Sequence, residues 1–327
     1  MSRLKQSGAA LLAAMLTVTL VATFAAAALW QQWRAVEVEA AERTRVQAAW
    51  ILLGALDWSR LILREDARGS TADYLAEPWA VPLQEARLST FLAAQNNAQG
   101  SALDGDLAQA AQDAFLSGQI TDMQSRLNLR NLLSNDSTVA RSAQSQFTRL
   151  FERLNLPQQD LSLLEDGLTR ANSASSASDT APLMPQTVQQ LTWLGLAPAT
   201  VARLEPYVAM LPMATPVNLN TAGVDVLVAA ISELDQASAQ RIVQARAARY
   251  FRSLGDVINL LGRGDDLGGA SAVSINSSYF EVRGRLRLGA SVVEERTLVQ
   301  RNSNLPIVLW RQRSALPPAV APVTAVE

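Results

Sequence analysis

The sequence predicts an α+β fold with a long N-terminal helix, a small antiparallel sheet and a large inserted all-α domain. Three patterns carry this prediction. An uncharged, apolar run extends from Ala9 to Trp33. Apolar residues then recur with a helical period over 138–261, and they alternate with basic residues over 279–288. Because the helical block lies between strand-like segments, we expect it to be inserted into the α+β domain.

The apolar run is long enough to cross a membrane as one helix. About 20 helical residues, each rising about 1.5 Å, span the roughly 30 Å hydrocarbon core of a bilayer. Arg3 and Lys5 precede the run, and cations on the short side favour a cytoplasmic N-terminus. The sequence therefore predicts a single-pass membrane protein whose main domain lies outside the cytoplasm.

A secretory signal peptide is the alternative interpretation of this segment. Its two cations form a basic n-region, and the alanines between Ala25 and Ala28 offer small-residue cleavage sites. However, the helical periodicity continues beyond Trp30 to Leu63, and the first proline is Pro78. A signal peptide does not require this continuation, so the pattern favours one helix that extends past the membrane.

The composition excludes several kinds of chemistry. The 327 residues include no cysteine and no histidine. This excludes thiol nucleophiles, disulfides, Cys/His zinc sites and the Ser-His-Asp triad. The net charge of −2 gives no electrostatic basis for binding nucleic acid. We therefore expect a protein that is not an enzyme and that takes neither nucleic acid nor a small-molecule substrate.

Two pairs of aspartates are candidate metal ligands. Asp104 and Asp106 flank a glycine, and Asp265 and Asp266 are adjacent. Carboxylate oxygens suit calcium, but neither pair has EF-hand spacing, and turns commonly contain the same residues. We expect no cofactor, and these four residues are the candidates for binding calcium.

One part of the helical block, 217–261, has the rhythm of helix-hairpin-helix units. DNA-binding versions use glycine amides of the hairpin to approach a phosphate. The corresponding hairpin here is Glu233-Leu-Asp-Gln-Ala237, which has two acids and no glycine. A protein-packing role is therefore favoured. A membrane-tethered or exported DNA-binding protein of the competence type remains the alternative function.

Three internal motifs carry a family resemblance. They are GQITDMQSR at 118–126, PVNLNTA at 216–222, and Trp79 after a Glu-Pro pair. Together they resemble the K-class minor pseudopilins of bacterial type II secretion systems (general secretion pathway protein K) along essentially the whole chain. Leu127 and Arg130 stand where Phe and Asn are commoner in that family. The resemblance implies a subunit at the pseudopilus tip that helps to initiate filament assembly and the export of folded proteins.

The N-terminus is similar to a prepilin peptidase site. The resemblance implies cleavage between Gly8 and Ala9, followed by methylation of the new amine. Most pilin-like proteins then place a glutamate where this chain has Ala13. A carboxylate in the bilayer costs a few kcal/mol without a partner. A tip subunit has no neighbour above it to supply one, so alanine suits that place. The alternative is that Ala13 is simply a lipid-facing helix residue.

The resemblance also implies partners, a location and a domain plan. The protein would reside in the inner membrane with its N-terminus in the cytoplasm and its main domain in the periplasm. Its membrane helix would face I-class and J-class minor pseudopilins or lipid through Leu11, Leu12, Leu16, Leu20 and Phe24. The expected plan is a leader (1–8), a transmembrane half-helix (9–33), a periplasmic half-helix (34–68), the first part of a pilin-like domain (69–132), an inserted helical domain with helix-hairpin-helix-like units (133–270), returning strands (271–313) and a disordered tail (314–327).

Overall fold

The computed structural model describes residues 7–90, 114–173, 182–262, 267, 272–289, 291–302 and 304–316. The chain divides into two compact units, Met1–Leu53 and Gly54–Glu327. The candidate calcium ligands Asp104, Asp106, Asp265 and Asp266 lie outside the described residues.

A single long helix, α1, runs from Ser7 to Gly69. It contains an 18-residue window with a mean hydropathy of 2.2, none of which is buried. Among the described residues, this is the helix whose length and composition suffice to cross a membrane. The helix ends at the glycine where the sequence pattern predicts a break, because glycine and the polar residues after it favour a turn over further helix.

The other elements of regular structure belong to the second unit. The described strands are β1 (Leu83–Arg87), β2 (Ala114–Asp122), β3 (Leu127–Asn128), β4 (Val208–Ala209), β5 (Val217–Asn218), β6 (Val273–Ser274), β7 (Tyr279–Leu288), β8 (Ser291–Gln300) and β9 (Ile307–Leu316). The described helices after α1 are α2 (Ser137–Arg153), α3 (Gln158–Ser173), α4 (Pro198–Leu204), α5 (Val224–Ala230), α6 (Gln236–Ala248) and α7 (Leu254–Leu261). Short 3₁₀ helices cover Pro78–Ala80, Met123–Ser125, Leu129–Leu133 and Val188–Leu194.

In the described residues, five antiparallel strands form one sheet in the order β1-β2-β7-β8-β9. Strands β2 and β7 are direct neighbours, paired from Ala114 opposite Leu288 to Asp122 opposite Phe280. The strand before the helical block therefore lies beside the strand after it. The block is an insertion between two adjacent strands of one sheet.

Two expectations about strands need correction. The predicted tail from residue 314 is wrong at its start, because Ser314 and Leu316 pair with β8 and so extend β9. The alternation of Leu127 and Leu129 with polar neighbours predicts a short half-buried strand here, but β3 ends after two residues. It ends there because the side-chain oxygen of Asn128 accepts the N–H of Arg130 and caps a 3₁₀ helix.

The end of α1 packs against the sheet. Leu56 and Leu63 lie two helical turns apart on one face of the helix and are buried with Trp79, Phe280 and Val299. The ring of Trp79 meets that of Phe280 edge to face at a centroid distance of 5.1 Å. Each fully buried side chain of this kind contributes about 1.5–3 kcal/mol relative to exposure. This face holds the last turns of α1 on the sheet.

The helical block has its own core. Phe147, Leu150 and Phe151 of α2 are buried on one face, as the helical period predicts. Leu164 and Leu168 of α3 join them in the same apolar cluster. The side chains of Asp136, Asp235 and Ser253 accept backbone N–H groups at the starts of α2, α6 and α7.

Two helical glycines, Gly167 in α3 and Gly54 in α1, should change the stability in opposite directions when each is replaced by alanine. A Cβ added at Gly167 would lie 2.8 Å from the Cβ of Leu194, whereas a Cβ added at Gly54 would meet no atom within 4 Å. We expect Gly167→Ala to lower the free energy of unfolding by about 1–2 kcal/mol, because overpacking outweighs the helical gain of alanine. Gly54→Ala should raise it by about 0.5–1 kcal/mol. Urea unfolding of both variants checks this, and equal shifts would contradict it.

Candidate functional site

The three sequence motifs meet at a buried polar cluster, here named the polar junction. It lies where five parts of the chain come together: the end of α1 with the loop after it, the end of β2, the end of β5 with the turn after it, the segment before β7 and the residue after β8. Its members carry charged, amide or hydroxyl side chains: Asp66, Asp73, Glu77, Asp122, Asn218, Thr221, Ser277 and Arg301. Buried polar groups require hydrogen-bond partners, so the contacts of this cluster fix the elements around it.

Asp122 is the centre of the polar junction. Its Oδ1 accepts the backbone N–H of Gln124 at 2.8 Å. Its Oδ2 accepts the hydroxyls of Thr221 and Ser277 at 2.5 and 2.7 Å and the amide of Asn218 at 3.1 Å. Asp122 ends β2 and caps the 3₁₀ helix that follows it. One carboxylate thus joins the first motif, the second motif and the segment that enters β7.

The asparagines of PVNLNTA brace loops. Asn218 also donates to the carbonyl of Asp73 at 3.1 Å and to the hydroxyl of Ser277 at 2.9 Å. Asn220 exchanges two hydrogen bonds with the backbone of Phe251, at 3.0 and 2.9 Å. Asparagine suits these positions because it carries a donor and an acceptor on one short side chain. The motif therefore has a structural explanation in the described contacts.

Two further asparagines, Asn128 and Asn131, follow the first motif and brace the 211–215 segment by hydrogen bonds. Asn128 donates to the carbonyl of Met213 at 2.7 Å and to the hydroxyl of Thr215 at 3.0 Å. Asn131 donates to the carbonyl of Thr215 at 2.8 Å and accepts its N–H at 2.9 Å. Gln124 completes the frame by donating to the carbonyl of Pro216 at 3.2 Å.

The acidic side of the polar junction surrounds Arg301. Its Nη1 lies 2.7 Å from Asp66 Oδ2, and its Nη2 lies 2.6 Å from Asp73 Oδ2. Its guanidinium also lies over the ring of Phe280, 4.8 Å from the centroid. Glu77 accepts the indole N–H of Trp79 at 2.7 Å. Burial, followed by the charge of Glu77, raises the pKa of Asp66 to about 7.

Asp122 predicts a pH dependence of stability. Burial raises the pKa of Asp122 from 3.8 to about 6. The folded state then binds a proton more tightly than the unfolded state, so the stabilisation from this group is present below pH 4 and is lost as the pH rises to 6. We expect the free energy of unfolding to fall less steeply between pH 4 and 6 in Asp122→Asn than in the unchanged protein. Urea unfolding across this range checks the slope, and identical slopes would contradict the assignment.

The residues singled out at the N-terminus lie in α1. Gly8 and Ala9 belong to its first turn, and Ala13 is exposed. The predicted membrane-helix contacts are each at least 51 % exposed: Leu11, Leu12, Leu16, Leu20 and Phe24. None of these residues belongs to the polar junction. Sequence reasoning singled out Trp79 and the two motifs that meet there, but it missed Asp66, Asp73 and Arg301. No local pattern marks those three residues.

The hairpin between α5 and α6 is held by hydrogen bonds within the chain. Glu233 adopts a φ of 57°, the left-handed conformation that glycine favours. Asp235 accepts the N–H of Ser238 at the start of α6. Arg246 of α6 donates to the carbonyl of Leu219 at 2.6 Å, an internal contact. Acids at the hairpin disfavour a phosphate ligand, because like charges repel.

Comparison with known proteins shows what the chain resembles. A family model described as type II secretion system (T2SS), protein K, matches residues 125–213, and a second model with the same description matches residues 217–276. The chain is therefore similar to the type II secretion system protein K family over these two ranges. It is 28% identical over 309 residues to type II secretion system protein K of Pseudomonas aeruginosa, and the match covers 87% of this chain and 85% of the relative. It is also 28% identical to the protein K of Klebsiella pneumoniae, with 94% and 96% covered.

A solved structure shares the fold of this chain. The crystal structure of the GspK-GspI-GspJ complex from enterotoxigenic Escherichia coli contains a chain that matches with a TM-score of 0.63 and 18% identity. The match covers 84% of this chain and 98% of the other. The bracing residues Asn128, Asn131, Asn218 and Thr221 lie within the ranges that the two family models match.

Proposed function

We propose that this chain is a K-class minor pseudopilin at the tip of the type II secretion pseudopilus, where it helps to initiate assembly and the export of folded proteins. One observation carries this proposal. The helical block is inserted between the adjacent strands β2 and β7 and is braced by the polar junction. A large domain fixed in this way suits a filament end, because no further subunit has to stack above it.

The membrane anchor follows from the same proposal. We infer that a prepilin peptidase removes 1–8 by cleavage between Gly8 and Ala9, and that α1 then holds the protein in the inner membrane. The main domain would lie in the periplasm, since the cations precede the apolar run. Ala13 carries no charge and would therefore need no partner in the bilayer. This suits a subunit at the tip, which has no neighbouring subunit above it.

The proposed partners are I-class and J-class minor pseudopilins. The related K chain was crystallised as a GspK-GspI-GspJ complex. In this chain, α1 presents exposed apolar side chains beyond the membrane segment, among them Val46 and Trp50. Exposed tryptophans on a helix are typical anchors of a protein interface. We therefore infer that the partners bind along this helix.

Co-purification tests the proposed function. The full-length chain is co-expressed with the I-class and J-class proteins of the same secretion system and is captured in mild detergent. We expect both partners to be retained. Trp50→Ser should weaken capture about thirtyfold, the effect of losing a hot spot worth about 2 kcal/mol. Trp193→Ser is the matched control, because Trp193 is also exposed but lies in the helical block. Equal losses in both variants, or no capture at all, would contradict the proposal.

We also propose that the protein has no enzymatic activity, resident cofactor or nucleic-acid partner. The lack of cysteine and histidine supports this by removing the commonest nucleophiles and bases. Calcium binding at Asp104, Asp106, Asp265 or Asp266 stays a prediction. A hydrolase screen and a low-salt DNA-binding assay on the full-length protein test the negative statements, and a positive result in either would overturn them.

A further inference from the structure

One face of the five-stranded sheet carries a row of arginines that α1 does not cover. Phe280 of β7 packs with Leu63 of α1, and side chains alternate between the two faces along a strand. Arg283, Arg285 and Arg287 therefore share the face that points away from α1. They stand about 7 Å apart, because each residue of an antiparallel strand rises about 3.4 Å. We name these three residues the arginine stripe.

The charge of the arginine stripe is only partly neutralised within the chain. Arg283 lies 3.5 Å from the carboxylate of Glu281, which Arg296 already binds at 2.9 Å. Arg285 is exposed and forms no ion pair with any residue that the structure describes, although Glu294 lies opposite it in the ladder. Two of the three arginines are therefore free to bind an anion from outside the chain.

The third arginine of the stripe is ordered by an aromatic ring. The guanidinium of Arg287 lies over the ring of Phe115, 3.9 Å from the centroid, and that of Arg87 approaches the same ring at 5.6 Å. Arg287 also lies 2.6 Å from Glu85 of β1. Because these contacts restrict the side chain, a ligand meets a guanidinium that loses little further freedom on binding.

A cleft between the sheet and the helical block opens at the other end of the arginine stripe. Arg296, which is opposite Arg283 in the ladder, lines it together with Trp310 of β9. Arg126 and Glu205 also line it. The cleft has room for a group of about the size of one or two water molecules, which admits a carboxylate and excludes an aromatic ring.

Two hydrogen-bond donors in the cleft are left without sufficient acceptors. The indole N–H of Trp310 is buried and has no partner among the described residues. Arg126 donates to the carbonyl of Glu205 at 3.2 Å, although a guanidinium carries several N–H groups. Burial lowers the pKa of Arg126, and with the two acids and two other arginines around it the group carries a charge of +1. Because buried donors without acceptors are costly, the cleft favours an anionic acceptor.

We propose that the arginine stripe and the cleft together bind an extended acidic segment of another protein. Side chains on one side of an extended chain recur at every second residue, about 7 Å apart, which is the spacing of the stripe. Carboxylates at alternate positions of such a segment can each meet one arginine of the stripe by charge-assisted hydrogen bonds. The next carboxylate in the same register reaches the cleft, where Arg126 and Trp310 supply the donors.

The shape and charge of this surface favour a protein segment over a membrane or a nucleic acid. The N–H of Trp310 is buried in the cleft, which the flat surface of a bilayer does not enter. Glu205, Glu281 and Glu294 lie among the arginines, and the continuous charge of a nucleic-acid backbone would meet these acids. An extended peptide can place neutral residues there. The surface uses the sheet face away from α1, so it is separate from the helix surface proposed for the I-class and J-class partners.

Fluorescence anisotropy with a defined peptide tests the proposal. The probe is a labelled peptide in which glutamate and serine alternate, and glutamine replaces glutamate in the control peptide. The full-length protein in nonionic detergent should bind the acidic peptide at low salt and not the control peptide. Changing Arg283→Gln together with Arg285→Gln should weaken binding about tenfold or more, because two charge-assisted contacts are lost. Arg43→Gln with Arg45→Gln is the matched control, because it removes two exposed charges from α1, and it should leave binding unchanged.

A further variant tests the cleft by itself. Trp310→Phe removes the buried N–H and keeps an apolar ring, so it should weaken binding of the acidic peptide about threefold to tenfold, the effect of one hydrogen bond. Absence of binding by the unchanged protein, or equal losses in the stripe variant and the α1 control, would overturn the proposal. Vesicles that contain phosphatidylglycerol provide the last arm. If the unchanged protein binds them through Arg283 and Arg285 but does not bind the peptide, the ligand is a lipid surface and the proposal is wrong.

Discussion

Arg301→Gln is expected to lower the free energy of unfolding by about 3–5 kcal/mol, the cost of leaving a buried ion pair without one partner. The guanidinium contacts Asp66 and Asp73 at 2.7 and 2.6 Å, and its side chain is 11% exposed. Glutamine retains a donor but not the charge, so the carboxylates would repel one another at short range. The guanidinium also donates to the carbonyl of Ser277 at 2.7 Å, a bond that would be strained or lost.

Urea unfolding measures this loss. Arg43→Gln is the control, because Arg43 forms an ion pair with Glu39 in which both side chains are about 70% exposed. Exposed pairs of this kind contribute little to stability, so the midpoint of the control should not move. A shift in Arg301→Gln no larger than in Arg43→Gln would show that the polar junction is not a stabilising centre.

The sheet was only partly predictable from the sequence. Strand β7 runs from Tyr279 to Leu288, as its alternation of apolar and basic residues predicts. Burial follows that alternation only after Val282, where Arg283 and Arg285 are exposed and Leu286 is buried, whereas the residues from Tyr279 to Val282 are all buried. Strand β2, Ala114–Asp122, was not predicted, because Gly118 and Ser117 interrupt its pattern and neighbouring strands cover it on both edges. Its pairing with β7 depends on a contact across more than 150 residues.

The contacts of the polar junction were even less predictable from the sequence than the sheet. The motifs at 118–126 and 216–222 were singled out, but their chemistry was invisible because each polar residue is satisfied by a distant segment. Asp122 meets Thr221 and Ser277, and Asp73 meets Arg301. The sequence search for metal ligands found aspartates adjacent along the chain. The cluster that the fold assembles joins Asp66 and Glu77 across a helix end, which no local spacing reveals.

Cleavage of the leader gives the second large expected effect. In cells with the secretion system and its prepilin peptidase, the mature protein should begin at Ala9 and carry one extra methyl on its amine. Gly8→Leu should abolish this cleavage and with it secretion of the exported proteins. The physical reason is charge: an uncut chain keeps Arg3 and Lys5, and bringing each into the bilayer costs about 2.5–3.5 kcal/mol. The subunit could not then be drawn out of the membrane into a filament.

Intact mass spectrometry of the purified protein shows directly where the mature chain begins and whether its amine is methylated. Gly54→Leu is the control, because an added Cβ at Gly54 of α1 meets no atom within 4 Å. It should be cut and methylated normally, while Gly8→Leu keeps all eight leader residues. A mature chain that begins near Ala28 instead would make the apolar segment a signal peptide. The membrane helix, the filament and the partner bundle would then all be excluded, while the fold of the second unit would stand, because its core and polar junction use no residue before Gly54.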